Sequence, residues 1–430
     1  MRVLSLFATV AFIIALLPVV TAQKSNEHFA TLNDVIRDSS QKNIQSKNCN
    51  AYVGYEPDTT HPEYTPIRMV RINIHVMQDS KGQNNFPDNK QGRQWIKDLV
   101  ANANMRLSSN QKMNLPQGNN TPVLPIPFRY VLTGRPGHPS DDGIYFHRDD
   151  TLSFLNKKAR GSKNTAFDTR QYNTYGIQKD TVINIFMIEH NPDSLKSKTY
   201  RPSNDGIGMG PWAKIVGCYN IWKSPVVRAP GDTSRYSPWD ASALFNHELG
   251  HCLGLQHTWN MDDGCDDTPK NPDCWNFNEP PGCTAVSNNV MDYNNWKSAY
   301  SPCQIGKIVM GFYNDKGTRK YLAPDWCTFN EAKSDTIQRG QTIEWNASID
   351  VLGNLVVEPK ATLIIHCTTS IPPGGRVILS SKSTLILDGC VLTSRCTSPF
   401  DGIVINGKGK KAPKIYLKNG AAVENVKHPI

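Results

Sequence analysis

Beyond residue 22 the sequence has no apolar run long enough to cross a bilayer, which excludes a membrane-spanning helix in that stretch. It also lacks a dense block of lysine and arginine with interleaved aromatics. The 47 Lys plus Arg outnumber the 38 Asp plus Glu only thinly along the chain, so the +9 charge reads as a solvated basic surface and not a nucleic-acid site. The 11 cysteines include no CxxC pair, which excludes a zinc knuckle.

What the N-terminus does contain is Met1, Arg2 and a short apolar run from Val3 to Val20, closing on Val20-Thr21-Ala22 with small residues where a signal peptidase cuts. Residues 1–22 are expected to be a cleaved signal peptide and the remainder to be secreted. All cysteines lie beyond that segment, in a chain bound for an oxidising compartment. Most are therefore expected in disulfides, and an odd number leaves at least one over. About 400 residues remain after the cut, enough for two globular domains.

Residues 23–66 are polar, hold Cys49 and end in a Pro-rich stretch, as a propeptide or linker does. Cys49 is open to two readings, a zinc ligand that holds an enzyme latent or a disulfide partner. Alternation from Met69 to Met77 predicts a strand, and Trp95, Ile96, Leu99, Val100, Ala103 and Leu107 recur at helical spacing. Phe128–Leu132 and Val182–Ile188 predict further strands, giving an α/β layer with a mixed sheet over residues 67–330. Gly206 to Gly217 reads either as an edge strand that could pair with an extended peptide or as a tight turn. After Cys327 the character changes. Gly353, Leu355, Val357, Thr362, Leu363, Ile364 and Ile365 recur 22 residues later as Gly375, Val377, Leu379, Thr384, Leu385, Ile386 and Leu387. That repeat predicts the coils of a parallel β-helix over residues 335–430, with a β-sandwich as the alternative.

Ser237-Pro238-Trp239-Asp240 is a helix start, with a capping serine, proline in the first turn and an acid near the positive helix end. The helix it opens carries His247 and His251, four residues apart and so on one face, where both imidazoles can reach one ion. Glu248 flanks that ion. Gly254 can end the helix with a positive φ and redirect the chain, bringing His257 in as third ligand. Three imidazoles leave a fourth position for water, the arrangement of a catalytic zinc site. Zinc would acidify that water, and Glu248 would act as general base. Solvated histidines on a helix are the alternative. Five specified positions meeting by chance in one chain is an event on the order of once in ten thousand sequences.

His247-Glu248-Leu249-Gly250-His251-Cys252-Leu253-Gly254-Leu255-Gln256-His257 carries the long motif of the metzincin zinc peptidases without departure, and Asn289-Val290-Met291-Asp292-Tyr293 resembles their Met-turn. With Thr258-Trp259 and Asp266-Asp267-Thr268-Pro269, the stretch from about Met69 to Cys327 is similar to the pappalysin-like group, in particular its bacterial, cytophagalysin-type secreted members. The resemblance implies a two-lobed domain with an active-site helix and a cleft, Met291 beneath the metal, and Tyr293 as a hydroxyl donor to the oxyanion. It also implies a calcium ion near Asp267 and Thr268, where an acidic solvated loop is the other reading. By the same resemblance, Cys265 pairs with Cys283 and Cys274 with Cys303, stapling the loop after His257 to the Met-turn. Cys252 is expected as a buried thiol.

The leading expectation is thus a secreted zinc metalloendopeptidase acting on proteins or peptides. Its rival is an extracellular binding or adhesive β-repeat protein whose peptidase domain is accessory or inactive.

Overall fold

The computed structural model describes residues 27–37, 65–155, 167–199, 205–223, 237–258, 262–270, 274, 281–283, 286–294, 297–314 and 316–430. The expected signal peptide, Cys49 and Trp259 lie outside them. A short N-terminal piece ends in β1 (Val35–Arg37), which belongs to the C-terminal half of the molecule. The first half is built on one sheet, in which β2 (Arg68–Gln78) pairs with β3 (Phe128–Leu132), β4 (Ile144–Arg148) and β6 (Ile183–His190). Beyond β6, which also takes β5 (Phe154–Leu155), lie β8 (Trp212–Val216) and then β7 (Asp205–Met209) at the edge. All are parallel except β7, so the sheet is mixed. The glycine-punctuated stretch is therefore a hairpin whose first arm is an edge strand. The eight residues of β6 are all buried, and its sequence is apolar apart from Asn184 and the terminal Glu189 and His190.

Helix α1 (Lys90–Ser108) lies on this sheet through Trp95, Ile96, Leu99, Val100, Ala103 and Leu107, all buried. Short helices α2 (Arg170–Tyr175), α3 (Pro192–Leu195) and α4 (Cys218–Lys223) fill connections. Helix α5 (Pro238–Cys252) packs beside α1 and on β7 and β8. Its start is fixed by a reciprocal cap, with Ser237 N donating to Asp240 Oδ2 at 2.8 Å and Asp240 N to Ser237 Oγ at 3.4 Å. Helix α6 (Pro302–Tyr313) has the same device at Ser301 and Gln304.

The C-terminal half contains three sheets of parallel strands. β9 (Asp335–Ile337), β12 (Leu355–Val357), β15 (Arg376–Leu379) and β18 (Gly402–Ile405) form one. β10 (Thr342–Trp345), β13 (Thr362–Ile365), β16 (Thr384–Asp388) and β19 (Lys414–Lys418) form the second, and β11 (Ile349–Asp350), β14 (Thr369–Ser370), β17 (Val391–Thr393) and β20 (Ala422–Val423) the third. The 22-residue repeat is the register itself, since Leu355 pairs with Val377 and Thr362 with Thr384. Val357, Leu363, Ile365, Leu379, Leu385 and Leu387 are all fully buried in one core.

The two halves are joined more firmly than separate cores would be. Leu352 lies in the core of the first half. Asp350, fully buried, takes Arg68 Nη2 at 2.7 Å and Arg319 Nη1 at 3.2 Å, and Trp326 lies against both guanidiniums. A disulfide ties Cys327 to Cys396.

Two expected disulfides are corrected. Cys265 bonds Cys303, and Cys274 bonds Cys283. The loop after His257 is moored to the start of α6, where Asp267 Oδ2 accepts from Cys303 N at 3.0 Å and Lys307 donates to the Asp263 carbonyl. That brings the Cα atoms of Cys265 and Cys303 to 5.7 Å and leaves Cys274 and Cys283 to close a small loop on themselves. The staple therefore holds α6, not the Met-turn. Cys218, Cys252 and Cys390 are buried.

Candidate active site and metal centre

Helix α5 presents His247 and His251 one turn apart, and Gly254, with φ +97°, turns the chain so that His257 comes back to them. His257 Nε2 lies 3.2 Å from His247 Nε2 and 3.0 Å from His251 Nε2. On the far side of each ring, His247 Nδ1 faces the Val290 carbonyl at 2.6 Å and His251 Nδ1 the Leu255 carbonyl at 2.9 Å. A carbonyl can only accept, so both Nδ1 atoms carry the proton and both Nε2 lone pairs are left pointing at the common centre. Burial drives the pKa of His257 down to about 4, and also lowers those of His251 and His247. All three rings are thus neutral, the form that binds a metal. Three nitrogens on one tetrahedral zinc, at bonds of about 2.0–2.1 Å, sit about 3.3 Å apart, so the triad fits zinc.

Glu248, 3% exposed, lies beside this centre. Burial pushes its pKa up to about 8, against the pull of the nearby Lys297 ammonium and a hydrogen bond from the Gly208 amide. Asp205 adds a like charge. Met291 is fully buried under α5, its sulfur filling the space that a side chain on Gly250 would need. The Met-turn is held from behind by Asn289, whose Oδ1 accepts from Met291 N at 2.8 Å and whose Nδ2 donates to Gln304 Oε1 at 2.9 Å. The ring of Tyr293, 40% exposed, lies 4.8 Å from that of His257 and 6.2 Å from that of His247. Burial, then Glu248 and Asp205, raise its phenol pKa.

The acidic loop is less open to a cation. Thr268 Oγ1 lies 2.9 Å from the Cys265 carbonyl and 3.1 Å from Asp263 Oδ1, and Lys270 Nζ lies 3.2 Å from the same carboxylate oxygen. Asp267 spends one oxygen on Cys303 N. Asp263 Oδ2 and Asp267 Oδ1 are buried without a hydrogen-bond partner among the described residues. Cys265 and Cys303 beside them are joined in a disulfide.

Sequence reasoning named the three histidines, Glu248, Met291 and Tyr293, and the fold brings all six together. It placed Asn289 in the Met-turn without its hydrogen-bonding role, and missed Lys297 and Asp205 and the contacts of Gly206 and Gly208, which reach the site from the Met-turn loop and β7. No spacing rule marks a lone lysine in a loop or a lone aspartate at the start of a strand. The glycines were visible as punctuation but not as contacts of the helix.

Residues 231–312 match the sequence profile of the peptidase family described as pregnancy-associated plasma protein-A. No curated protein sequence matches the chain. Among solved structures it is similar to mature mirolysin of Tannerella forsythia in complex with a cleaved peptide, with 16% identity, 59% of this chain and 94% of that one covered, and a TM-score of 0.37. Mirolysin in complex with a small compound gives 17% identity, 60% and 96% coverage, and a TM-score of 0.39. The stretch matched by the family profile holds the three histidines, Glu248 and Met291, and over it the chain is similar to the pappalysin-like metallopeptidases.

Proposed function

We propose that the chain is a secreted zinc-dependent metalloendopeptidase in which His247, His251 and His257 hold one zinc ion and Glu248 is the general base. The observation that carries this reading is the convergence of three neutral imidazoles beside a buried carboxyl. Zinc held there supplies Lewis acidity, acidifying a water molecule and polarising a peptide carbonyl. Glu248 takes the proton of the attacking water and returns it to the leaving amine, the role of a carboxylate held beside the ion. Tyr293, on the open side of the triad, donates its hydroxyl to the oxygen on which charge develops. Protein or peptide substrates lie extended along β7, the last strand of the sheet, which runs beside α5 and has an edge available for pairing.

In this reading residues 1–22 are the signal peptide, 67–330 the peptidase domain and 335–430 a parallel β-helix, each passage adding one strand to each of three sheets. The disulfides among the described residues support secretion into an oxidising compartment. A calcium ion at the acidic loop would draw on Asp267 and Thr268, whose hydroxyl keeps lone pairs while it donates its hydrogen, and on the buried Asp263 Oδ2 beside them. Titrating calcium into the chelator-treated protein and following its melting temperature tests that part.

The rival, an adhesive β-repeat protein with an idle peptidase domain, predicts no turnover. Incubating a denatured protein mixture with the purified enzyme, with and without a zinc chelator, separates the two. New peptide termini that vanish with the chelator support the peptidase. Their absence in zinc-loaded protein favours the rival.

A further inference from the structure

The N-terminal piece read from sequence as propeptide or linker makes its contacts at the far end of the C-terminal half. β1 pairs in parallel with β19, Val35 opposite Ile415 and Arg37 opposite Leu417. Upstream of it, Ala30 N donates to the Ile403 carbonyl at 2.7 Å and Ile405 N to the His28 carbonyl at 2.8 Å, so the same piece also pairs with β18. Phe29 stacks on the His428 imidazole with ring centroids 3.9 Å apart, and Glu27 forms an ion pair with Arg376. Ala30, 2% exposed, belongs to the core of the C-terminal half, and Val35 packs against that core. Without this piece, β18 and β19 would each end their sheet with a row of unpaired amides and carbonyls over an open apolar core. The opposite end of the stack is closed by the peptidase half through Asp350 and Leu352.

We infer that residues 27–37 are the closing rung of the C-terminal half, a strand-addition partner that stays bound in the working enzyme. A plug of the catalytic cleft would need contacts there. Among the described residues, those of this segment beyond itself run to residues 376–428. The backbone pairing supplies affinity, and the small, buried Ala30 and the apolar Val35 supply fit. A cut between this segment and Cys49 therefore leaves it attached by these contacts alone.

The test inserts a site-specific protease sequence after Gln41 in the full-length exported chain, so that the peptide carries no cysteine, cuts it, and runs gel filtration under native conditions. The N-terminal peptide is expected to co-elute with the body, and Ala30→Glu, which puts a charge into the core, is expected to release it. Separation of the peptide from the parent body overturns the inference. A second measurement covers a variant that folds badly. Protein lacking residues 23–38, shown by circular dichroism to be folded, is titrated with a labelled synthetic peptide of residues 27–37. Saturable binding that a scrambled peptide does not reproduce supports the closing rung, and no binding contradicts it.

Discussion

Gly208 and Glu248 touch so closely that a Cβ on the glycine would lie 2.0 Å from the Glu248 carbonyl oxygen and 2.8 Å from His251 Cβ. Two residues upstream, a Cβ on Gly206 would meet the Glu248 carboxylate itself at 2.4 Å. The edge strand lies against the active-site helix because these two positions have no side chain, and the Gly208 amide can then hold the carboxylate. Gly208→Ala must push β7 and α5 apart. Displacements on the scale of 1 Å cost about 10²-fold in rate, so kcat is expected to fall by roughly that factor with zinc content unchanged. Full activity in the alanine variant would contradict the close approach.

Acid should destabilise the fold through a second histidine pair, on the sheet. His75, buried, faces His147 Nε2 at 2.8 Å through Nδ1, and Asn73 and Asn184 Oδ1 at 3.0 Å through Nε2. Burial first, then His147 and Arg135, drive His75 down to about 3, and burial and Arg135 drive His147 down to about 4. Both values are below the ordinary 6.5, so the unfolded chain binds more protons. The stabilisation is complete above about pH 6.5 and is lost as pH falls through the folded values. Urea midpoints of chelator-treated protein are expected to drop between pH 7 and 4.5, with a shallower drop in His147→Gln. An identical pH slope in parent and variant would count against this origin.

Removing the carboxylate of Asp350 leaves Arg68 and Arg319 buried without their shared counter-ion, a loss of about 3–5 kcal/mol for a broken buried pair. Asp350→Ala is expected to lower the thermal midpoint of peptidase inactivation together with that of the C-terminal half, because the charge cluster belongs to both. A fall confined to the C-terminal half would mean that the halves are independent.

Much of this was legible in the sequence where one residue type had one physical use. The cap at Ser237, the i,i+4 histidines and Gly254 each depend on local geometry, and the 22-residue repeat is a register that parallel strands impose directly. What was not legible depends on chain segments far apart in sequence. Cys303 sits beside Cys265 because Asp267 and Lys307 bring the loop to α6, which no cysteine spacing encodes. Residues 27–37 read as polar linker because three strand residues cannot announce a partner nearly 400 positions away. Asp350 carries no mark of its role in the sequence, because the fold alone brings Arg68 and Arg319 to it.

The central claim, a zinc peptidase with Glu248 as its base, is tested most directly by Glu248→Gln. The substitution keeps size and leaves His247, His251 and His257 in place, so zinc content by elemental analysis should match the parent at about one per chain. Turnover of a peptide should fall by at least 10²–10⁴-fold, roughly what general acid–base groups supply. A variant that holds zinc and cleaves at the parent rate would show that the proton is taken elsewhere and that the account is wrong.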